Sequence, residues 1–158
     1  MGNNHKRILI VDDEANVRTV FSNILRKENY LVKAVKGAPQ ALKAIDEEGF
    51  DLALVDLGKP KKDGIEILEN IKKRKSEIAV IIYTGHSSIP TAVAAIRRGA
   101  TDYLNRPFSP EELKLSIRKA LEKVEEDKIE KTGSLGLKIV NLDRMKKEEE
   151  EKDLDVHQ

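Results

Sequence analysis

Acidic residues stand at the ends of two aliphatic segments of the chain. Asp12 and Asp13 follow the segment RILIV, and Asp56 ends the segment LALVD. If the two segments are neighbouring strands of a parallel sheet, the three carboxylates converge at one edge, where a bound cation would relieve their repulsion. Oxygen ligands without Cys or His nearby are typical of a Mg²⁺ site. A carboxylate beside Mg²⁺ can also attack phosphorus and form an acyl phosphate.

Two further segments end in groups that suit phosphoryl transfer. The segment IIYT ends in the hydroxyl of Thr84, and DYLN is followed by the cation of Arg106. Taken singly, each acid has an ordinary explanation, because Asp often caps a helix or begins a turn. Taken together, three acids, a hydroxyl and a cation at strand ends are the set that phosphoryl transfer to an aspartate requires.

The elements that must position these groups alternate between strand and helix. Short apolar runs predict five strands, at residues 7–11, 30–35, 52–55, 78–83 and 102–104. Segments with helical periodicity follow each run. The alternation predicts an α/β fold in which helices cover both faces of a parallel sheet, and the apolar runs predict strands that are buried on both faces. In such sheets the binding site lies outside the carboxyl ends of the strands.

In two of the helical segments, the sequence predicts which residues face the core, and in the last one it also predicts where the helix begins. In the first, one helix face is predicted to contain Val17, Val20, Phe21, Ile24 and Leu25. The last opens with Ser109-Pro110-Glu111-Glu112, which predicts an N-cap serine and a capping box. Its inward stripe is predicted to be Leu113, Ile117, Ala120, Leu121 and Val124.

The composition narrows the classes of function. The 29 basic and 28 acidic residues leave a net charge of +1, so no dominant attraction to nucleic acid or to an anionic membrane is expected. Zero cysteines exclude disulfides, thiolate metal sites and cysteine nucleophiles. The apolar runs are far shorter than a membrane span, and the N-terminus has no apolar signal core. We therefore expect a cytoplasmic protein.

Four motifs carry a resemblance to a known family. They are ILIVDDE (8–14), LVDLGKPKKDG (54–64), IIYTG (81–85) and DYLNRPFSPEEL (102–113). From about Lys6 to Lys123 the chain resembles the receiver domains of two-component response regulators, and SSIPTAVAAIRRGATDYLNRPF is most similar to receivers of the nitrogen-regulator type. The resemblance implies a doubly wound, flavodoxin-like (βα)₅ fold with strand order 2-1-3-4-5. It also implies a phosphorylation-dependent signalling switch that catalyses only its own phosphorylation and dephosphorylation.

The resemblance also implies a role for each acid. Asp56 would be the phosphoacceptor, and its phosphodonor would be a histidine kinase, a phosphotransfer protein or a small phosphodonor. Asp13, Asp56 and the backbone carbonyl of Gly58 would contact Mg²⁺, with Asp12 acting through water.

The remaining candidates form the switch. The resemblance implies that Thr84 hydrogen-bonds the phosphoryl group, that Tyr103 changes rotamer with it, and that Pro107 follows a cis peptide bond. The signal would leave through helix 4, strand 5 and helix 5 to a downstream effector. The family places a lysine where this chain has Arg106. Arg is a longer, planar donor, so its atoms cannot take the same positions.

Three other functions compete with the receiver interpretation. A haloacid-dehalogenase-type phosphatase also uses an Asp nucleophile, but it needs a second acid where this chain has Gly58. Nucleotide-binding folds have a glycine-rich loop after the first strand, and VDDEAN contains no glycine. A pseudo-receiver, an interaction module with impaired phosphorylation, is supported by Arg106 and opposed by the intact acids.

The receiver domain is predicted to span residues 1–125, followed by a charged tail, linker or partly helical extension over 126–158. The tail contains the link KTGSLG and four consecutive glutamates at 148–151. We expect it to add little stability, with the alternative that the stripe Leu135, Ile139, Leu142 and Met145 docks on a partner or a second copy. The expected state is a monomer or a weak homodimer.

Overall fold

Five parallel strands form one sheet, and the predicted strand order 2-1-3-4-5 is confirmed. The computed structural model describes residues 5–58, 63–86 and 88–127, with Asp63 described through its backbone alone. The tail predicted over 126–158 therefore lies outside the described residues, apart from 126 and 127. The strands are β1 (Arg7–Val11), β2 (Leu31–Val35), β3 (Leu52–Asp56), β4 (Ala79–Thr84) and β5 (Asp102–Asn105).

Helices follow the strands in alternation, as predicted. They are α1 (Ala15–Lys27), α2 (Ala38–Glu47), α3 (Asp63–Arg74), α4 (Ile89–Arg97) and α5 (110–127). Among the helices of the described ranges, none combines the length and the apolar character that crossing a membrane requires.

The core has two layers, one on each face of the sheet. Successive strand residues alternate between the layers, so Leu9 and Val11 face one way while Ile8 and Ile10 face the other. The first layer is completed by buried residues of α2, α3 and α4, and the second by residues of α1 and α5. Helices thus cover both faces, as the alternation of elements predicted.

The expectation of burial on both faces is wrong for β2. This strand is paired only through β1 within the sheet order, and Leu31 on it is 46% exposed. Lys33 on the same strand is exposed and forms an ion pair with Glu48 at 2.5 Å. The second apolar run is therefore an edge strand.

The prediction for the buried face of α1 is also wrong for one residue. Val20 is 52% exposed, whereas Ser22 is buried. An α-helix has about 3.6 residues per turn. Viewed along the helix axis, Ser22 and Leu25 are therefore rotated from Phe21 in one direction, and Val20 is rotated in the other. The buried face of α1 is centred on Phe21 and Leu25. The spacing of apolar residues extended the predicted face to Val20, which lies outside it.

The start of α5 follows the predicted capping box. The Ser109 backbone N–H donates to the Glu112 carboxylate at 2.7 Å, and the Glu112 N–H donates to Ser109 Oγ at 3.0 Å. These bonds satisfy two of the backbone donors that a helix start leaves unpaired. The predicted inward stripe is confirmed, with Leu113, Ile117, Ala120, Leu121 and Val124 packed in the second layer.

A close approach brings α3 against the end of β3. The Gly64 N–H donates to the Leu57 carbonyl at 2.8 Å. A Cβ at Gly64 would lie 2.5 Å from the Asp56 carbonyl oxygen and 2.7 Å from Leu57 Cα. Only glycine fits this position, because the absence of a side chain lets the start of α3 lie against Asp56 and Leu57.

Candidate functional site

Three carboxylates meet at the carboxyl edge of the sheet. Val11 pairs with Val55 in the register of β1 and β3, so the residues that follow them emerge side by side. Asp12, Asp13 and Asp56 each place one carboxylate oxygen within 4.8 Å of the others. Asp12 is buried, Asp13 is exposed and Asp56 is half-buried. The convergence predicted from the strand ends is therefore present.

Asp12 is held by several hydrogen bonds. Its backbone N–H donates to the Val35 carbonyl at 3.1 Å, and its Oδ1 accepts from the Glu14 N–H at 2.8 Å. The Tyr83 hydroxyl donates to its Oδ2. Arg18 Nη1 donates to its carbonyl oxygen at 2.8 Å. Both carboxylate oxygens of Asp12 thus have a donor from the protein.

The surroundings of Asp56 disfavour its charge. Burial raises the pKa of Asp56 to about 6, and the negative charges of Asp12 and Asp13 add to the increase. The Gly58 backbone N–H, which hydrogen-bonds the carboxylate, and the Arg106 cation both act to lower the pKa. Gly58 has a φ of 81°, a conformation that favours glycine. The negative charges of Asp12 and Asp13 raise the pKa of Asp56 by more than the Arg106 cation lowers it.

This donor set fits Mg²⁺. The ion prefers oxygen ligands and is usually bound by one or two carboxylates together with water and phosphate. The three converging oxygens supply such ligands, and a cation among them would offset the mutual repulsion of the acids.

Groups on β4 and after β5 complete the rim of the site. Thr84 is buried, and its Oγ1 accepts from the His86 N–H at 2.9 Å. The Arg106 N–H donates to the Thr84 carbonyl at 2.8 Å, and the Arg106–Pro107 peptide bond is cis. One cavity is lined by the acids and by these residues, including Asp12, Asp13, Asp56, Gly58, Thr84, Arg106 and Pro107.

Tyr103 stands apart from this group. It packs partly buried against the layer formed by α2, α3 and α4, and its hydroxyl is 3.0 Å from Thr91 Oγ1 on α4. The structure therefore places Tyr103 beside the start of α4, whereas the other candidate residues line the cavity.

Some residues of the site, among them Lys36, Tyr83 and His86, were not predicted from the sequence. Lys36 and His86 line the cavity from loops, whose placement depends on the neighbouring strands. Tyr83 lies beneath the acids and is fully buried. A signal for Tyr83 was present, because it is the one aromatic residue in the strand AVIIYT, and a buried tyrosine hydroxyl usually finds a partner. Burial raises the pKa of Tyr83 well above its ordinary range, so the hydroxyl remains a donor.

Comparison with known proteins identifies the family. The model of the response regulator receiver domain matches residues 8–118. The nitrogen assimilation regulatory protein NtrX of Azorhizobium caulinodans is 38% identical over 117 residues, which are 73% of this chain and 26% of that protein. The similarity to nitrogen regulators predicted from the sequence is thus confirmed.

Solved structures agree with this result. A CheY-like receiver domain from Methanospirillum hungatei JF-1 has a TM-score of 0.73 and 34% identity, covering 77% of this chain and 98% of that one. The beryllofluoride-activated NtrC4 receiver domain dimer has a TM-score of 0.70 and 38% identity, covering 75% and 98%.

The match has a defined extent. The chain spans about a quarter of the length of the curated relatives it matches. The matched region begins in β1 and ends in α5, and it contains every residue of the acid cluster. The chain belongs to the response regulator receiver domain family.

Proposed function

We propose that this protein is a phosphorylation-dependent signalling switch that accepts a phosphoryl group on Asp56 in a reaction that requires Mg²⁺. The observation that carries the proposal is the convergence of the Asp12, Asp13 and Asp56 carboxylates beside Thr84 and Arg106 in one cavity. Receiver domains take their phosphoryl groups from histidine kinases, phosphotransfer proteins or small phosphodonors. We further propose that the protein acts in the cytoplasm and catalyses no reaction beyond its own phosphorylation and dephosphorylation.

The Asp56 carboxylate is the nucleophile of this reaction. One of its oxygens attacks the phosphorus of the donor, and a P–O bond forms while the bond from phosphorus to the donor breaks. The electron pair of that bond leaves on the donor, as imidazole from a phosphohistidine or as acetate from acetyl phosphate. Because the pKa of Asp56 is about 6, the carboxylate is mostly ionised at neutral pH and ready to attack.

The other residues of the cavity stabilise the charge that moves in this step. Asp13, Asp56 and the carbonyl of Gly58 would hold Mg²⁺, with Asp12 acting through water. The bound ion would supply positive charge against the oxygens of the transferring group. The Thr84 hydroxyl and the Arg106 guanidinium would stabilise the same oxygens by hydrogen bonds.

Arg106 is expected to tune the reaction and not to abolish it. The unchanged protein, incubated with acetyl phosphate and Mg²⁺, should gain the mass of one phosphoryl group, and omission of Mg²⁺ should prevent the gain. Arg106→Lys should form the same adduct at an equal or higher rate, because the acids that hold the metal contribute the larger electrostatic stabilisation. Intact-mass spectrometry over time measures both rates. If the unchanged protein gives no adduct while Arg106→Lys gives a robust one, the chain is a pseudo-receiver and the proposal is wrong.

We propose that the output surface lies on α4, β5 and α5. On α4, Ile89 is 81% exposed and Ile96 is 50% exposed, so this helix offers apolar contacts to a protein effector. Two hydrogen bonds lie between the site and this surface: Thr84 Oγ1 accepts from the His86 N–H, which precedes α4, and Thr91 within α4 contacts the Tyr103 hydroxyl. A phosphoryl group that draws the Thr84 hydroxyl away would release the His86 N–H, which precedes α4.

The output surface predicts a pattern of NMR shifts. Adding beryllofluoride and Mg²⁺ should shift resonances of Thr84, of α4 and of Tyr103, because Thr84 Oγ1 bonds the His86 N–H ahead of α4 and Tyr103 contacts Thr91 within α4. Asp56→Asn serves as the control that should show no such shifts. Tyr103→Phe, which removes only the hydroxyl, should reduce the shifts in α4. Shifts confined to the loops of Asp12, Asp13 and Asp56 would contradict the proposed surface.

A further inference from the structure

A buried tyrosine lies directly under the acid cluster. Tyr83 is fully buried, and it pairs with Asp56 in the register of β3 and β4. Its side chain lies on the opposite face of the sheet from Thr84, and its hydroxyl donates to Oδ2 of Asp12. Asp12 is itself only 2% exposed. A tyrosine thus contacts an acid of the site from the core side.

The ring of Tyr83 is fixed by two other aromatic rings. Phe21 of α1 lies edge-on to it with a centroid distance of 5.2 Å and an interplanar angle of 69°. Phe108, which follows Pro107, lies edge-on at 6.2 Å and 83°. The two phenylalanine rings are themselves 5.9 Å apart. Such contacts stabilise one ring orientation, so the hydroxyl has a defined direction.

The Tyr83 hydroxyl completes the hydrogen bonding of Asp12. Oδ1 of Asp12 accepts from the Glu14 N–H, and Oδ2 accepts from Tyr83. With one donor on each oxygen, the plane of the carboxylate is set by the protein. A buried carboxylate without such donors is costly, particularly beside two other acids.

We infer that Tyr83 is a positioning residue of this site, which orients the Asp12 carboxylate and thereby strengthens Mg²⁺ binding. The inference rests on the proposed function, since it assumes that the acid cluster binds Mg²⁺. Groups that hydrogen-bond to a metal-binding carboxylate commonly change metal affinity by about 10- to 100-fold. If Tyr83 served only to fill the core, a phenylalanine would do so equally well.

The test is a Mg²⁺ titration of the full chain, followed by NMR. Tyr83→Phe removes the hydroxyl and keeps the ring, so we expect the dissociation constant for Mg²⁺ to rise about tenfold. Tyr30→Phe is the matched control, because it removes the hydroxyl of another buried tyrosine in the same core layer, one that precedes β2 and is not part of the acid cluster. Its dissociation constant should stay close to that of the unchanged protein. Thermal unfolding without Mg²⁺ checks that each variant is folded.

Introducing Tyr83→Phe into the Asp12→Asn variant separates a role of Tyr83 in orienting Asp12 from a role in core packing. In Asp12→Asn the Tyr83 hydroxyl no longer has a carboxylate to orient, so adding Tyr83→Phe should leave the weakened Mg²⁺ affinity unchanged. Equal affinities for Tyr83→Phe and the unchanged protein would overturn the inference and leave the proposed function standing. The inference would also be overturned if Tyr83→Phe lowered the affinity equally in the unchanged protein and in Asp12→Asn, or if Tyr30→Phe lowered it as much as Tyr83→Phe. If the unchanged protein binds no Mg²⁺, the proposed function fails and the inference fails with it.

Discussion

Asp56→Asn is expected to abolish the phosphoryl adduct completely. Asparagine keeps the size of the side chain, but its amide oxygen is not a nucleophile at neutral pH. After incubation with acetyl phosphate or phosphoramidate and Mg²⁺, the intact mass of the variant should therefore remain unchanged. Asp46→Asn is a suitable control, because Asp46 is on α2 and pairs with Arg74 away from the cavity, so it should keep the adduct. A persistent adduct on Asp56→Asn would mean that another residue is the acceptor.

The same variant should be more stable than the unchanged protein when Mg²⁺ is removed. Folding raises the pKa of Asp56 from an ordinary 3.8 to about 6, so the folded state binds a proton more tightly than the unfolded state. For a raised carboxyl pKa, the free energy of unfolding falls as the pH rises from about 4 to about 6 and is then constant. Discounted for the partial solvent exposure of Asp56, the loss is of the order of 1 to 2 kcal/mol.

Urea denaturation in the presence of a chelator measures this difference. At pH 7 Asp56→Asn should need more urea to unfold than the unchanged protein. Near pH 4 the two should converge, because Asp56 is then protonated in the folded state and resembles Asn in charge. If Asp56→Asn were more stable than the unchanged protein by the same amount at pH 7 and near pH 4, its added stability would not come from removing the charge of Asp56.

Gly64→Ala is expected to destabilise the protein by about 3 kcal/mol, at the upper end of the cost of overpacking a core. The added Cβ would meet the Asp56 carbonyl oxygen at 2.5 Å and Leu57 Cα at 2.7 Å. Both are backbone atoms, so neither can rotate away as a flexible side chain would. To relieve the contact, α3 must separate from the end of β3, where Asp56 lies.

A second glycine offers a matched control for this substitution. A Cβ at Gly49 meets no described atom within 4 Å, so Gly49→Ala should change the free energy of unfolding by about 0.5 kcal/mol or less. Urea denaturation of both variants gives the comparison. If Gly64→Ala were as stable as Gly49→Ala, the close approach of α3 to β3 would not exist in solution.

Much of the fold was predictable because its causes are local. The parallel sheet follows from short apolar runs that alternate with helical periodicity, and the α5 start follows from Ser109 and Glu112, three residues apart. The convergence of the acids was also predictable, since two aliphatic runs each deliver an Asp to a strand end. The strand order had to come from the resemblance to receiver domains, because periodicity does not say which strands are neighbours.

The features that escaped prediction depend on distant parts of the chain. Tyr83 and Asp12 are 71 residues apart, and only the finished sheet brings the hydroxyl to the carboxylate. The exposure of Leu31 follows from the edge position of β2, which its apolar sequence does not reveal. The position of Tyr103 at the start of α4 likewise depends on how β5 meets that helix.

The position of β2 at the edge of the sheet has a consequence for solubility at high concentration. An edge strand presents backbone donors and acceptors to which a strand of another molecule can add, the first step toward β-aggregation. Here Lys33 projects from the middle of that strand, and Glu48 is paired with both Lys33 and Arg7 beside it. An incoming strand would have to bury or displace these charges. The opposite edge, β5, is four residues long and offers little length for such addition.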